Sequence, residues 1–70
     1  MAAYITNSVQ KARMERGVTQ EELADKVSVS RQTIIAIERG NYTPSVLLAL
    51  RIARFFKVPV EDIFSIAYEK

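Results

Sequence analysis

Apolar residues recur every three or four positions along most of this chain, and residues that cap helices stand between the apolar segments. Asn7 can cap a first helix that runs to about residue 16, where Gly17 would end it. The letters TQEE then put Thr19 and Glu22 at the spacing of a capping box, in which each side chain bonds the other's backbone N–H. A second helix is therefore predicted to begin directly after Thr19.

The second helix must be short, because Ser30 can cap a third helix over about residues 31–39. Two helices joined by so few residues cross steeply, as in a helix-turn-helix. The residues of these two helices predicted to face inward are Leu23, Ala24, Val27, Ile34 and Ile37. After a turn, Thr43 with Pro44 at the first helical position is predicted to open a fourth helix that runs to about Phe56.

The two ends of the chain carry a different pattern. The letters VPVEDIF predict a last short helix, and residues 65–68 then alternate between polar and apolar types with the period of a strand. Residues 4–6 alternate in the same way, so the two ends can pair as a short ribbon. The predicted fold class is all-α, with five helices, a helix-turn-helix and a two-stranded terminal ribbon as an additional feature.

Composition narrows the classes of function. The 70 residues suffice for one domain with a small core, and ten basic against eight acidic side chains give a net charge of +2, which is compatible with a polyanionic partner. Cysteine and histidine are absent, so we expect no disulfide, no metal, no cofactor and no nucleophile–base pair of an enzyme. With neither a signal peptide nor a long apolar run, we expect a cytoplasmic, nucleoid-associated protein without a membrane partner.

The run TQEELADKVSVSRQTIIAIERGNYTPS, with LRIARFFKVPVEDIF after it, resembles the Cro/XRE-type helix-turn-helix regulators over about residues 5–64. The positions that agree in residue type and spacing are Gln20, Leu23, Ala24, Val27, Ile34, Ile37, Glu38, Gly40, Pro44, Ala53 and Ile63. The tail after Phe64 is also similar to that of small dimeric repressors of the cytolysin-regulator type. The resemblance implies a five-helix, lambda-repressor-like DNA-binding domain.

The resemblance further implies that the third helix enters the DNA major groove and that its first residues contact base edges. Arg31 can offer two hydrogen bonds to guanine, and Gln32 can pair with adenine. Thr33 can bond a base or touch a thymine methyl, whereas Ala36 can reach a base only through its own methyl. The alternative is that Arg31 and Gln32 are solvated residues at the start of a helix.

Further residues are expected to hold the DNA backbone or the fold. The predicted phosphate contacts are Thr19, Gln20, Arg39, Asn41 and Tyr42. The cap explains Thr19 equally well, and the turn explains Asn41. Arg13 and Glu38 match family positions that form a buried or half-buried ion pair, with two exposed charges as the alternative. Ser28 stands where the family usually has glycine at positive φ, which costs a serine roughly 1 kcal/mol.

The fourth helix is apolar on nearly every side, since only Arg51 and Arg54 are charged between residues 46 and 56. The stripe predicted to face the core consists of Val46, Ala49, Leu50 and Ala53. A second stripe consists of Leu48, Ile52 and Phe55, and we expect it to form a homodimer interface because so small a domain has no further layer to cover it. The alternative is that the last helix and the tail cover it.

The sequence as a whole favours a homodimeric transcription regulator that binds double-stranded DNA at an inverted-repeat operator. A repressor is favoured over an activator. No small-molecule ligand is evident. The alternative of another class is a partner-binding module, such as an antitoxin-like protein that neutralises a toxin. An enzyme is a distant third.

Overall fold

The structure is a computed structural model that describes residues 2–69. The elements in chain order are β1 (Ala3–Asn7), α1 (Val9–Glu15), α2 (Gln20–Lys26), α3 (Arg31–Glu38), α4 (Val46–Phe56), a single 3-10 turn (Val60–Asp62) and β2 (Phe64–Tyr68). Within this range the fold is therefore mostly helical, as predicted, and the two terminal strands form a separate small sheet.

One apolar core lies between the helices. Its buried members are Val9, Ala12, Leu23, Ala24, Val27, Ile34, Ile37, Leu48, Ile52, Phe56 and Ile63. Each of the helices α1 to α4 contributes to this set, as does the residue after the 3-10 turn, so all four helices pack against the same core. The inward residues predicted for α2 and α3 are all in the core, which confirms the helical phase of both elements.

The predicted caps of α2 and α3 are present. The hydroxyl of Thr19 accepts the Glu22 N–H at 3.0 Å, and the Glu22 carboxylate accepts the Thr19 N–H at 3.0 Å, which completes the capping box. The pKa of Glu22 lies below its ordinary value, because hydrogen bonding stabilises the charged carboxylate. The larger effect comes from the Thr19 backbone N–H and the smaller one from the Thr19 hydroxyl. The Ser30 hydroxyl accepts the Thr33 N–H at 3.2 Å and caps α3.

The turn between α2 and α3 bends at Ser28, which has a φ of 63°. The positive φ expected at this position is confirmed. Serine lacks the freedom of glycine in the left-handed region, so the turn retains strain of roughly 1 kcal/mol. The tight crossing of α2 and α3 therefore persists in spite of a residue that opposes it.

Three boundaries differ from the prediction. Asn7 ends β1 and Ser8 occupies the cap position of α1, although the Asn7 side-chain oxygen still accepts the Val9 N–H at 3.2 Å. The fourth helix begins at Val46 instead of Pro44, because Ser45 caps it by accepting the Leu48 N–H at 3.1 Å. The predicted last helix is only the 3-10 turn, because strand β2 begins directly after Ile63.

The two apolar stripes of α4 do not face the directions predicted, except that Ala53 is buried as expected. Leu48 and Ile52, assigned to a homodimer interface, are buried in the core, and Phe55 packs against it half-buried. The exposed side instead carries Val46 and Leu50, which are 77% and 50% accessible. Both stripes are apolar, so their periodicity could not decide between them. The assignment of Leu48 and Ile52 to an interface is wrong.

The predicted ribbon between the chain ends is present. Strands β1 and β2 pair antiparallel, with Tyr4 opposite Ala67 and Ile5 opposite Ile66. One hydrogen bond extends the pairing beyond the strands, because the Ser8 N–H donates to the Ile63 carbonyl at 2.9 Å, and a second attaches the ribbon to a helix, because the Asn7 amide donates to the Ile37 carbonyl at 2.9 Å. The second bond ties the ribbon directly to the end of α3.

Replacing Ser28 by glycine tests the strain in the turn. Ser28→Gly should leave the free energy of unfolding unchanged or raise it by up to about 1 kcal/mol, because glycine adopts the φ of 63° without penalty. Ser28→Ala is the matched control, since it keeps the strained Cβ and should stay within about 0.5 kcal/mol of the wild type. Urea unfolding measures both, and a glycine variant clearly less stable than the alanine variant would contradict the strain.

Candidate nucleic-acid interface

The exposed side of α3 carries the residues predicted to read bases. Ile34 and Ile37 are completely buried and fix this helix to the core. Successive residues lie about 100° apart around a helix axis, which places Gln32 and Arg39 opposite these two anchors. Arg31, Gln32 and Arg39 are all exposed. The first turn of α3 therefore presents its arginine and its amide to the solvent.

Thr33 and Ala36 are less prominent than Arg31 and Gln32. Thr33 is half-buried, and its hydroxyl lies 3.0 Å from that of Ser30, so it takes part in the helix cap. Ala36 is half-buried as well. Around the helix axis it lies about 50° from the outward direction, which is the direction of Gln32 and Arg39, away from the core. Of the four predicted base contacts, Arg31 and Gln32 are thus exposed, whereas Thr33 and Ala36 are half-buried.

Ile35 also belongs to this side, and no role was predicted for it from the sequence. Around the helix axis Ile35 also lies about 50° from the outward direction, on the other side of it from Ala36. It lines a small notch together with Gln10, Gln20, Arg31, Glu38 and Arg39. Its place four residues after Arg31 is the signal for this position, because residues at i and i+4 lie on the same face of a helix.

The five predicted phosphate contacts lie at two helix ends. Thr19 and Gln20 are at the start of α2, and Arg39, Asn41 and Tyr42 follow the last residue of α3. All except Gln20 are exposed; the amide of Gln20 donates to a Glu38 oxygen at 3.0 Å. Their contacts with phosphate stay a prediction.

The ion pair between Arg13 and Glu38 is confirmed. Arg13 Nε lies 2.8 Å from Glu38 Oε2, and Arg13 Nη2 donates to Oε1 at 3.2 Å, so the two groups meet in a forked arrangement. The side chains are only 11% and 4% accessible. Arg13 Nη1 also donates to the Val18 carbonyl at 2.9 Å, in the loop before α2. The pair is thus largely removed from water and has further hydrogen-bond partners.

Glu38 joins three helices. Arg13 comes from α1, Gln20 is the first residue of α2, and Glu38 is the last residue of α3. The exposed side of α3 therefore keeps a fixed position relative to the start of α2, where two of the predicted phosphate contacts lie. In residues 2–69, every buried side-chain nitrogen or oxygen has a hydrogen-bond partner.

Across the part of the chain that the structure describes, no group of acidic side chains could hold a metal ion. None of the helices described is long and apolar enough to cross a membrane.

Helices α2 and α3, their strained turn and the exposed first turn of α3 define a helix-turn-helix domain. Residues 9–63 match the helix-turn-helix family model HTH_3. The chain belongs to the Cro/XRE-type helix-turn-helix family of transcriptional regulators, a non-enzymatic, DNA-binding class. The resemblance noted from the sequence is thereby confirmed.

Three similar proteins illustrate this membership. An uncharacterized HTH-type transcriptional regulator of Methanocaldococcus jannaschii, MJ0272, is 57% identical over 58 residues, which are 83% of this chain and 88% of that protein. The cryptic phage CTXphi transcriptional repressor RstR of Vibrio cholerae is 30% identical over 60 residues, 86% of this chain and 54% of RstR. The crystal structure of the transcriptional regulator VanUg superposes with a TM-score of 0.78 over 99% of this chain and 92% of that one, at 20% identity, which is a likeness in fold alone.

Removing one partner of the ion pair should destabilise the fold strongly. Arg13→Ala leaves the Glu38 carboxylate largely buried without its counter-charge, which should lower the free energy of unfolding by about 3 to 5 kcal/mol. Arg39→Ala is the matched control, because it removes an exposed arginine and should change stability by less than about 0.5 kcal/mol. Denaturant unfolding compares the two, and a loss below about 1 kcal/mol in Arg13→Ala would contradict the structural role of the pair.

Proposed function

We propose that this protein binds a specific sequence of double-stranded DNA as a homodimer and represses transcription by occupying its operator in the cytoplasm. The observation that supports this most strongly is the accessible arginine–glutamine pair on the first turn of α3, a helix otherwise fixed by two buried isoleucines. A rigid helix with polar groups at its exposed start is suited to reading base edges in the major groove.

Arg31 and Gln32 read the bases in this proposal. The fork of Arg31 suits the two acceptors of guanine, and the amide of Gln32 suits the acceptor and donor of adenine. Thr33 and Ala36 contribute shorter contacts, because the hydroxyl of Thr33 is shared with Ser30 and Ala36 offers only a methyl. Sequence preference would therefore come mostly from two side chains per chain.

The DNA backbone is held by residues on either side of this helix. The exposed hydroxyl of Thr19 and the second amide hydrogen of Gln20, beside the one bonded to Glu38, face one phosphate. Arg39, Asn41 and Tyr42 contact the next phosphates along the same strand. Because Gln20 is held by Glu38, its phosphate contact would be set at a fixed distance from the base contacts.

A second copy of the chain covers the exposed side of α4. A groove of about 840 Å³ lies between α4 and the segment around the 3-10 turn. We call this the α4 groove; its apolar lining consists of Leu47, Leu50, Ala53, Val58, Pro59 and Val60. Leu47 and Leu50 are 58% and 50% accessible, an exposure of large apolar side chains that is typical of a surface covered by a partner.

The charges around the α4 groove are consistent with self-association. Three cations from Arg51, Arg54 and Lys57 line it, while Glu61 and Asp62 are exposed in the adjoining 3-10 turn. In a two-fold arrangement each patch meets its own counterpart, so the cations of one copy can lie beside the carboxylates of the other. A surface with both signs next to an apolar strip is complementary to itself.

The similarity to RstR supports repression over activation, since RstR is a transcriptional repressor. A dimer places two copies of α3 on one face of the duplex, so the operator should be an inverted repeat with half-site centres about 10 base pairs apart. Two half-sites also raise the selectivity, because each correct base pair contributes only about 1 to 3 kcal/mol.

Selection of bound duplexes from a random pool tests this function directly. The expected result is an inverted repeat whose half-sites contain guanine and adenine opposite Arg31 and Gln32. Recovery of a single asymmetric half-site would overturn the dimer, and a pool that stays random would overturn specific DNA binding altogether. A fixed salt concentration is required, because the phosphate contacts make the affinity strongly dependent on salt.

Substitutions of the proposed base contacts and of the proposed phosphate contacts should affect DNA binding differently. Arg31→Ala or Gln32→Ala should cost about 1 to 3 kcal/mol on the selected site and relax the preference at one base pair, whereas Arg39→Ala should weaken all sequences alike and lower the salt slope by about one. Lys11→Ala is the charge control, because Lys11 lines a different cleft, beside Asp62. Fluorescence anisotropy with matched and mismatched duplexes measures both effects. Full discrimination by the Arg31 and Gln32 variants would contradict the assignment.

A charge in the α4 groove should separate the dimer without unfolding the chain. Leu47→Glu and Leu50→Glu should sediment as monomers at micromolar concentration and lose cooperative operator binding, yet keep their helical circular dichroism because both side chains are exposed. Met14→Glu is the matched control for sedimentation, because it places the same charge on an exposed apolar residue outside the groove. A wild-type protein that sediments as a monomer, or a groove variant that dimerises normally, would remove the α4 groove as the interface.

A further inference from the structure

Ile35 is a large apolar side chain on a surface whose other large side chains are polar. It is half-buried, and its neighbours one helical turn away along α3 are Arg31 and Arg39. The notch beside it is lined by the polar side chains of Gln10 and Gln20 from α1 and α2. An isoleucine in such surroundings has no apolar cover on its exposed side.

Packing of the core does not explain this residue. The half-buried apolar residues that pack against the core are Val18, Val29, Phe55, Val58 and Phe64. Within the described residues Ile35 is not among them, and its two neighbours Ile34 and Ile37 already supply the anchors of the helix. A polar residue at this position would serve the fold equally well, since it lies outside the core.

Its position relative to the proposed DNA contacts suggests a role. Arg31, one turn before Ile35, is proposed to contact a base, and Arg39, one turn after it, is proposed to contact a phosphate. If both arginines engage one duplex, Ile35 lies between them against the floor of the major groove. The thymine C5 methyl is the apolar group that base pairs present there.

We propose that Ile35 is a specificity-determining residue that recognises the methyl group of a thymine in each half-site. The inference rests on the proposed function, because it requires that α3 lie in the major groove. Contact between the isoleucine and a methyl removes apolar surface of both from water, and the gain for one buried carbon corresponds to roughly a fourfold change in affinity. Cytosine, which lacks the methyl, would lose this contact at the same position.

Deoxyuridine isolates that contact, because it differs from thymidine only by the missing methyl. Each thymine of one selected half-site is replaced in turn, and the dissociation constant is measured for the wild type and for Ile35→Ala. The wild type should lose roughly fourfold at one thymine, and Ile35→Ala should show no loss at that same thymine. Ile66→Ala is the matched control, an exposed isoleucine of β2 that should retain the wild-type sensitivity.

A second variant should create a new base preference, whereas Ile35→Ala only removes one. Ile35→Gln offers an amide that pairs with adenine N6 and N7, so its selected site should change from thymine to adenine at that one position. Thermal unfolding of both Ile35 variants verifies that the domain is intact.

The outcomes separate this inference from the proposed function. A wild type that selects a defined site, with every uracil effect unchanged in Ile35→Ala, overturns the role of Ile35 alone and leaves specific binding standing. A selected half-site without any methyl-sensitive thymine does the same. A wild type that selects no site overturns both.

Discussion

The position of the proposed reading helix depends on one carboxylate. Glu38 ends α3, where the helix dipole is negative and disfavours a further negative charge, and it is almost completely removed from water. The Arg13 fork and the Gln20 amide compensate for both costs. Because these donors belong to α1 and α2, the carboxylate can be satisfied only when all three helices are correctly arranged. The energetic cost of burying the Glu38 carboxylate therefore disfavours other arrangements of the three helices.

The same arrangement explains how a strained turn is maintained. Ser28 holds an unfavourable φ between α2 and α3, and two local hydrogen bonds support it: the Ser28 N–H donates to the Asp25 carbonyl at 3.3 Å, and the Val29 N–H donates to the Ala24 carbonyl at 3.0 Å. The buried isoleucines of α3 and the Glu38 contacts fix both helices independently of the turn. The turn is therefore held both by its own hydrogen bonds and by the packing of the two helices. This also separates two tasks in α3: its inner side and its last residue fix the orientation, and its exposed first turn is free to vary.

Much of this was readable from the sequence where a pattern is local. The capping box at Thr19, the cap at Ser30 and the inward phase of Ile34 follow from spacing within a few residues. The Arg13–Glu38 pair joins distant residues and came only from the family resemblance. The phase of α4 could not be read, because Leu48 and Leu50 are equally apolar and only the assembled core distinguishes them. Ile35 was missed for the same reason: hydrophobicity suggests burial, and only its half-buried place outside the core shows otherwise.

The terminal ribbon has a consequence for the order of folding. Ala3 pairs with Tyr68, so the sheet joins residues from opposite ends of the chain, whereas the helix caps form between near neighbours. Contacts across so long a loop carry a large closure entropy and form after local ones. We therefore expect the helices to collapse first and the strands to close last. The ribbon, once closed, links the two ends that would otherwise fray and attaches them to α3 through Asn7. Slow amide exchange in β1 and β2 would then report that the whole chain has completed folding.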